Sequence, residues 1–257
     1  MLELKNIDKI FNRGTVNEAT LFNKFSLTVK RGEFVSVIGS NGSGKTTMLN
    51  IISGTLGIDG GRVLLDGADI TRSPEYVRAR RIGRVFQNPA LGTSPKMTIL
   101  ENLSIAANKG RPYLLTFAVD KKKRDVYRES VSSLRLGLED KMDVPVGMLS
   151  GGQRQALSLL MSTMTEPELL LLDEHTAALD PKTAETIMIL TDRIVKEKRI
   201  TAVMVTHNLR YAVDYGDRML MMHKGGIVLD KAGEEKALLR VPDLLKIFNE
   251  ISVECGN

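Results

Sequence analysis

Apolar positions follow two periods along this chain, and the change between them divides it into parts. Residues 2–7 and 25–29 alternate apolar and polar side chains as half-buried strands do, and residues 62–70 form a predicted hairpin turning on Asp66-Gly67. The run Phe34-Val35-Ser36-Val37-Ile38 predicts another strand, after which Met48, Ile51 and Ile52 supply the buried face of a helix that Gly54 stops. Residues 82–86 read as a strand, and from Asn88 onward the pattern turns helical. Thr98-Ile99-Leu100-Glu101 is a capping box that predicts a helix through about Asn108. Asp120 opens a second helix, in which Tyr127, Val131 and Leu134 recur at helical spacing with Lys121, Lys122, Lys123 and Arg124 in the first turn. Ser150-Gly151-Gly152-Gln153 has capping-box spacing and starts a third helix, ended by Pro167. Residues 169–172 are four leucines, the continuous apolar run of a strand buried on both faces of a parallel sheet. Asp180-Pro181 then starts a helix with Ile187, Leu190 and Ile194 on one face. Residues 201–206 read as a strand, and residues 219–223 and 227–229 close through Lys224-Gly225-Gly226. Asp243 is placed to cap a last helix bearing Leu244, Leu245, Phe248 and Ile251.

These elements predict an α/β fold with a mixed, largely parallel sheet and an N-terminal antiparallel β subdomain. A helical subdomain over residues 89–160 is inserted into a core of residues 1–88 and 161–257. At 257 residues and 42% apolar content the chain can bury a sizeable core. Its N-terminus lacks an apolar signal core and no run approaches a membrane span, which predicts a soluble cytoplasmic protein. The single cysteine, Cys255, excludes an internal disulfide or a thiolate metal cluster within one chain. The net charge of +5 fits solubility charge, an anionic membrane surface or nucleic acid. Arg78, Arg80, Arg81 and Arg84 read as a solvated basic face, with contact to another protein or to phosphate lipid as the lesser reading, and Lys121 to Arg124 as a solvated helix start or a partner surface.

The chemistry centres on Gly39-Ser40-Asn41-Gly42-Ser43-Gly44-Lys45-Thr46-Thr47, which has the spacing G-x-x-x-x-G-K-[ST] between a strand and a helix. Glycines let the backbone curl with its N–H groups inward, and the helix start adds its positive dipole end, so a polyphosphate is held largely by main chain. Lys45 reaches the terminal phosphates and Thr46 offers a hydroxyl to magnesium. The motif predicts a P-loop NTPase core, the alternative being a chance glycine turn between a strand and a helix. The leucine strand ends in Asp173-Glu174, at the sheet edge where open α/β folds bind ligands. Asp173 can hold magnesium and Glu174 can polarise a water for attack. His207 ends a neighbouring strand at the same edge. Phe11 either stacks on a bound base or closes a strand end, and Gln87 alone reads as a turn residue. Glycines at 151 and 152 weaken a helix start, and either a close-lying anion or a plain cap accounts for them.

Together these residues resemble the ATP-binding subunits of ABC transporters over about residues 2–230. The motifs appear in order: the aromatic Phe11, the Walker A loop at 39–46, the Q-loop Gln87, the signature Leu149-Ser150-Gly151-Gly152-Gln153, Walker B ending in Asp173-Glu174, the D-loop Ala178-Leu179-Asp180 and the switch His207. The resemblance implies a head-to-tail homodimer holding two ATP molecules, each between one chain's phosphate loop and the other's signature helix. It further implies that Gln87 joins magnesium to the helical subdomain and that His207 contacts the γ-phosphate. A separate membrane permease and an external solute-binding protein would be the other partners, with the chain peripheral on the inner membrane face and no nucleic acid expected. His175 and Ala178 stand where proline and serine are common in the family. The texture of residues 12–18 and 173–180 is most similar to subunits of amino-acid importers, including those for tryptophan or tyrosine. An exporter subunit is the alternative within transport, and an ABC ATPase acting on nucleic acid the alternative outside it.

Overall fold

The computed structural model describes residues 1–110, 119 and 121–254. Its N-terminal part runs β1 (Leu2–Phe11), β2 (Ala19–Val29), β3 (Phe34–Gly39), α1 (Lys45–Ser53), β4 (Gly60–Leu65), β5 (Ala68–Asp69), α2 (Glu75–Arg78) and β6 (Ile82–Val85). Three α-helices follow among the described residues, α3 (Ile99–Ala107), α4 (Arg124–Ser132) and α5 (Gly151–Thr163). The chain then returns through β7 (Leu169–Asp173), α6 (Pro181–Glu197), β8 (Thr201–Val205), α7 (Leu209–Asp214), β9 (Arg218–His223), β10 (Gly226–Ala232), α8 (Gly233–Leu238) and α9 (Val241–Glu254).

Two sheets result. An antiparallel sheet has the order β2-β1-β4-β5, and a six-stranded sheet has the order β10-β9-β3-β8-β7-β6. In the latter, β9, β3, β8, β7 and β6 are mutually parallel and only β10 runs against its neighbour. Every residue of β3, β7 and β8 is buried. That is why these segments read as unbroken apolar runs rather than as alternation. Each fully buried leucine of β7 contributes roughly 2 kcal/mol of transfer free energy. The parallel strands bring their carboxyl ends to one edge, where β3, β7 and β8 end side by side.

Helix α5 ends at Thr163, short of Pro167. Its Leu157 and Leu159 lie in one apolar cluster with Leu103 of α3, Val131 of α4, Leu172 of β7 and Ile187 of α6. The helical segment and the sheet therefore share a core. The second large cluster, with Leu4, Phe22, Ile51 and Leu171, joins the antiparallel sheet to α1 and the other face of β7.

Several local expectations change. Lys121–Lys123 form a 3-10 turn and α4 begins at Arg124, so the three lysines precede the α-helix instead of opposing its dipole from inside. The expected start at Asp120 lies outside the described residues, as does Cys255. Asp243 is not the residue before α9 but sits in its first turn, where it accepts a hydrogen bond from the Arg240 N–H at 2.9 Å. On that helix Leu244 is buried, while Leu245 is exposed. Of the basic cluster Arg80 is exposed, while the other three arginines are engaged. Arg78 is 5% exposed and donates to the carbonyls of Ile51, Ile52, Thr71 and Ser73, stitching the carboxyl end of α1 to the segment before α2. A guanidinium that meets four carbonyls at once can be buried where an ammonium, with three donors, would leave one unmet. Arg81 pairs with Glu168 at 2.6 Å, and Arg84 turns toward the edge of the six-stranded sheet. Among the described residues no helix is long and apolar enough to cross a membrane.

Candidate functional site

The loop between β3 and α1 is shaped by close approach and by backbone sign. A Cβ on Gly39 would lie 2.2 Å from the Met222 carbonyl oxygen, and Gly44 holds φ at 100° as the N-cap of α1. Neither position accommodates a side chain without strain. No side chain caps α1, so its first-turn N–H groups face the loop. Lys45 is 5% exposed, and its Nζ donates to the carbonyls of Gly39 at 2.9 Å and Ser40 at 3.0 Å. Burial lowers its pKa, while the carboxylates of Glu174 and Asp173 pull it back up. Ser40 Oγ lies 3.2 Å from His223 Nδ1.

Asp173 ends β7 opposite Val205 of β8, and the Glu174 N–H donates to the Val205 carbonyl at 2.9 Å. Glu174 then takes a left-handed φ of 47°. That conformation costs a side-chain-bearing residue about 1 kcal/mol and is held by the ladder on one side and the Ala177 N–H to Glu174 carbonyl bond on the other. On the neighbouring strand, Thr206 donates from its N–H to the Val37 carbonyl, and Asn208 caps α7 by accepting from the Tyr211 N–H. His207 is fixed between these anchors with Nε2 at 2.7 Å from Glu174 Oε1. A proton on Nε2 makes the ring a donor that orients the carboxylate.

A cleft of about 440 Å³ collects much of the predicted set. Phe11, Asn41, Gly42, Gly44, Lys45, Thr46, Thr47, Glu174 and His207 all line it, with Leu21 of β2. Phe11 carries Lys9 Nζ at 5.4 Å from its ring centroid. Asp173 is 8% exposed beside the cleft, and Thr46 Oγ1 is 3.5 Å from its Oδ1. Among the described residues no group of three or more His, Cys, Asp or Glu is placed to hold a metal. One hydroxyl and one carboxylate oxygen side by side next to a phosphate cradle nevertheless fit magnesium, which takes few protein oxygens and completes its shell with phosphate and water.

Other predicted residues lie apart from the cleft. Gln87 is exposed two residues beyond β6. Ser150 and Gln153 form the expected capping box, with Ser150 Oγ accepting from the Gln153 N–H at 3.2 Å and Gln153 Oε1 accepting from the Ser150 N–H at 3.3 Å. The two glycines separate in role. A Cβ on Gly152 would stand 2.2 Å from Thr183 Cγ2, so close packing against α6 requires glycine there, whereas a Cβ on Gly151 would meet only Leu179 Cδ2 at 3.4 Å. Asp180 is exposed and caps α6 by accepting from the Thr183 N–H at 3.1 Å, and hydrogen bonds from the Thr183 side chain first and its backbone second hold the carboxyl below the usual range.

Two residues at this edge acquire partners that the sequence reading did not assign. Arg84 Nη2 donates to Asp173 Oδ2 at 2.8 Å and Nη1 to Ser53 Oγ at 3.2 Å. His175 is 2% exposed, with Nε2 at 3.1 Å from Thr191 Oγ1. The Thr191 hydroxyl gives its own proton to the Ile187 carbonyl at 2.7 Å, so the ring is the donor. Burial holds the His175 pKa down to about 4. Nothing in the sequence marks either contact, because each joins residues far apart along the chain.

A strand-loop-helix turn beside an acid pair and a histidine has the form of a nucleotide-binding site. The family model described as ABC transporter matches residues 22–177. The chain is 49% identical over 248 residues to the tyrosine transport ATP-binding protein of Clostridioides difficile (strain R20291), covering 96% of this chain and 98% of that one. It is 33% identical to the spermidine/putrescine import ATP-binding protein PotA of Haemophilus influenzae, and the match covers 91% of this chain but only 59% of that relative. A solved ATP-binding cassette, a dimer in a post-hydrolysis state bound to ADP and Pi, superposes with a TM-score of 0.76 at 31% identity over 90% of this chain and 98% of that one. The chain belongs to the ABC transporter family as an ATP-binding, ATP-hydrolysing subunit.

Proposed function

We propose that this subunit drives import of an amino acid through a separate membrane permease, with tyrosine the leading cargo. Support for the cargo comes from the C. difficile relative, which is named for tyrosine transport and matches along nearly its whole length. The observation that carries the chemistry is the 2.7 Å contact of His207 with Glu174 in the cleft that also contains Lys45 and Thr46. In this reading residues 39–47 hold the ATP phosphates, Lys45 neutralises the terminal ones and Phe11 stacks on the adenine. Glu174 orients and deprotonates the attacking water, and His207 keeps the carboxylate aimed while contacting the γ-phosphate. Thr46 and Asp173, with Gln87 reaching in from the end of β6, would hold magnesium, which supplies charge neutralisation at the phosphates.

Ser150, Gly151, Gly152 and Gln153 serve the nucleotide of a second copy, as does Asp180. Two facts support this: the residues stand outside their own chain's cleft, and Gly151 leaves bare backbone at an exposed helix start. The dimer is head to tail, and residues 89–160 act as a lobe that moves against the core of residues 1–88 and 161–257. The chain sits peripherally on the inner membrane face, and an external binding protein delivers the solute.

Cargo and direction are tested by reconstituting the subunit with its permease and binding protein in vesicles. ATP-dependent uptake of labelled tyrosine, absent with Glu174→Gln, is the expected result. Transport of tyrosine out of the cytoplasmic compartment, or ATP turnover that ignores amino acids in the presence of the binding protein, contradicts the proposal.

A further inference from the structure

The contact between Arg84 and Asp173 places a fixed positive charge on a carboxylate proposed to face magnesium. Both side chains are only 11% exposed, so solvent screens the pair weakly. The two carboxylate oxygens are divided: Oδ2 accepts from Arg84 Nη2 at 2.8 Å, and Oδ1 lies 3.5 Å from Thr46 Oγ1. Arg84 cannot easily swing away. Its Nη1 donates to Ser53 Oγ, its guanidinium lies 4.7 Å from the Phe86 ring centroid, and its own carbonyl accepts from Ser162 Oγ of α5 at 2.8 Å. Its Nε is buried without a partner among the described residues.

We propose that Arg84 is a positioning residue that shares Asp173 with magnesium: it turns Oδ1 toward Thr46 and, by its charge, weakens the hold of the site on the ion. The inference rests on the reading of Asp173 as a magnesium group. A guanidinium on Oδ2 withdraws part of the carboxylate's attraction and repels a divalent ion on the far side of the same group, in a pocket of low effective dielectric. Against this, Arg84 holds the carboxylate in one orientation, a gain of about one rotamer's freedom. The charge effect is larger. An arginine here therefore makes nucleotide binding more dependent on the free magnesium concentration, and its removal relaxes that dependence.

The test is binding of a fluorescent ADP analogue to the full-length chain as free magnesium is varied, using wild type, Arg84→Met, Arg84→Gln, Arg84→Lys and Asp173→Asn. Melting temperatures in EDTA establish that each variant folds, and Arg84→Gln carries the test should Arg84→Met not fold. Half-saturation at roughly tenfold lower magnesium in Arg84→Met or Arg84→Gln is the expected result, with Arg84→Lys lying between them and wild type because it keeps the charge without the fork. A merely structural salt bridge would lower the melting temperature and leave the magnesium midpoint in place, which overturns the inference. So does a midpoint that moves to higher magnesium. Asp173→Asn is expected to raise the midpoint. If it does while the Arg84 variants match wild type, the inference alone fails; if it has no effect, the reading of Asp173 fails as well.

Discussion

His207 Nε2 and Glu174 Oε1 meet at 2.7 Å although one follows β8 and the other opens the turn after β7. The contact depends on two backbone anchors, the Glu174 N–H on Val205 and the Thr206 N–H on Val37, which tie both residues to adjacent strands of one sheet. An aligned carboxylate is what a general base for water requires.

Replacing His207 with alanine leaves Glu174 in its strained turn but without the partner that orients it. ATP turnover should fall by about a hundredfold while nucleotide affinity changes by less than about threefold. Steady-state rates together with equilibrium binding separate the two. A variant that keeps its rate and loses affinity would place His207 in binding alone.

The glycines after Ser150 should respond differently to one added methyl. Gly152→Ala drives a Cβ into Thr183 Cγ2 and should destabilise the fold by about 1–3 kcal/mol. Adding Thr183→Ser, which removes that methyl, should restore most of the loss. Gly151→Ala should leave stability within about 0.5 kcal/mol, because its nearest neighbour lies at ordinary contact distance, yet lower ATP turnover by obstructing the second copy's phosphate. Chemical denaturation and turnover assays on the four proteins distinguish the packing role from the phosphate role.

His175 predicts an acid-sensitive fold. It is neutral in the folded chain down to about pH 4, whereas an exposed histidine in the unfolded chain gains its proton near pH 6.5. Between those values the unfolded state binds more protons, so the stability contribution is complete above about pH 6.5 and declines as pH falls toward 4, by about 3 kcal/mol in all. His175→Asn keeps a donor for Thr191 and cannot titrate, so its denaturation midpoint should fall less between pH 7 and pH 4.5 than that of wild type. Parallel pH profiles for the two proteins would remove this account.

Most of the site was legible in the chain because its parts are contiguous motifs on predictable elements. Lys45 and Thr46 follow a glycine loop set between a strand-like and a helix-like run, and Glu174 follows a leucine run of the length a buried strand has. What escaped the reading depends on long-range contact. Arg78 and Arg84 look like surface charge in a basic stretch, yet one satisfies carbonyls at the end of α1 and the other lies on Asp173, 89 residues away along the chain. Gly152 reads equally as a place for a close-lying anion or as part of a plain cap, and its packing against Thr183 of α6 shows only in three dimensions. The start of α9 was misplaced for a local reason: an aspartate reaches back to the Arg240 N–H from inside the first turn as readily as a cap accepts from ahead of it.

The central claim is that two copies together enclose ATP and that Glu174 ends the enclosure by hydrolysing it. The direct measurement is the solution mass of Glu174→Gln by light scattering at saturating ATP and magnesium, compared with ADP. With the base gone and the rest of the site intact, the mass should be that of a dimer in ATP and of a monomer in ADP. A protein that binds ATP to saturation and remains a monomer would contradict the claim.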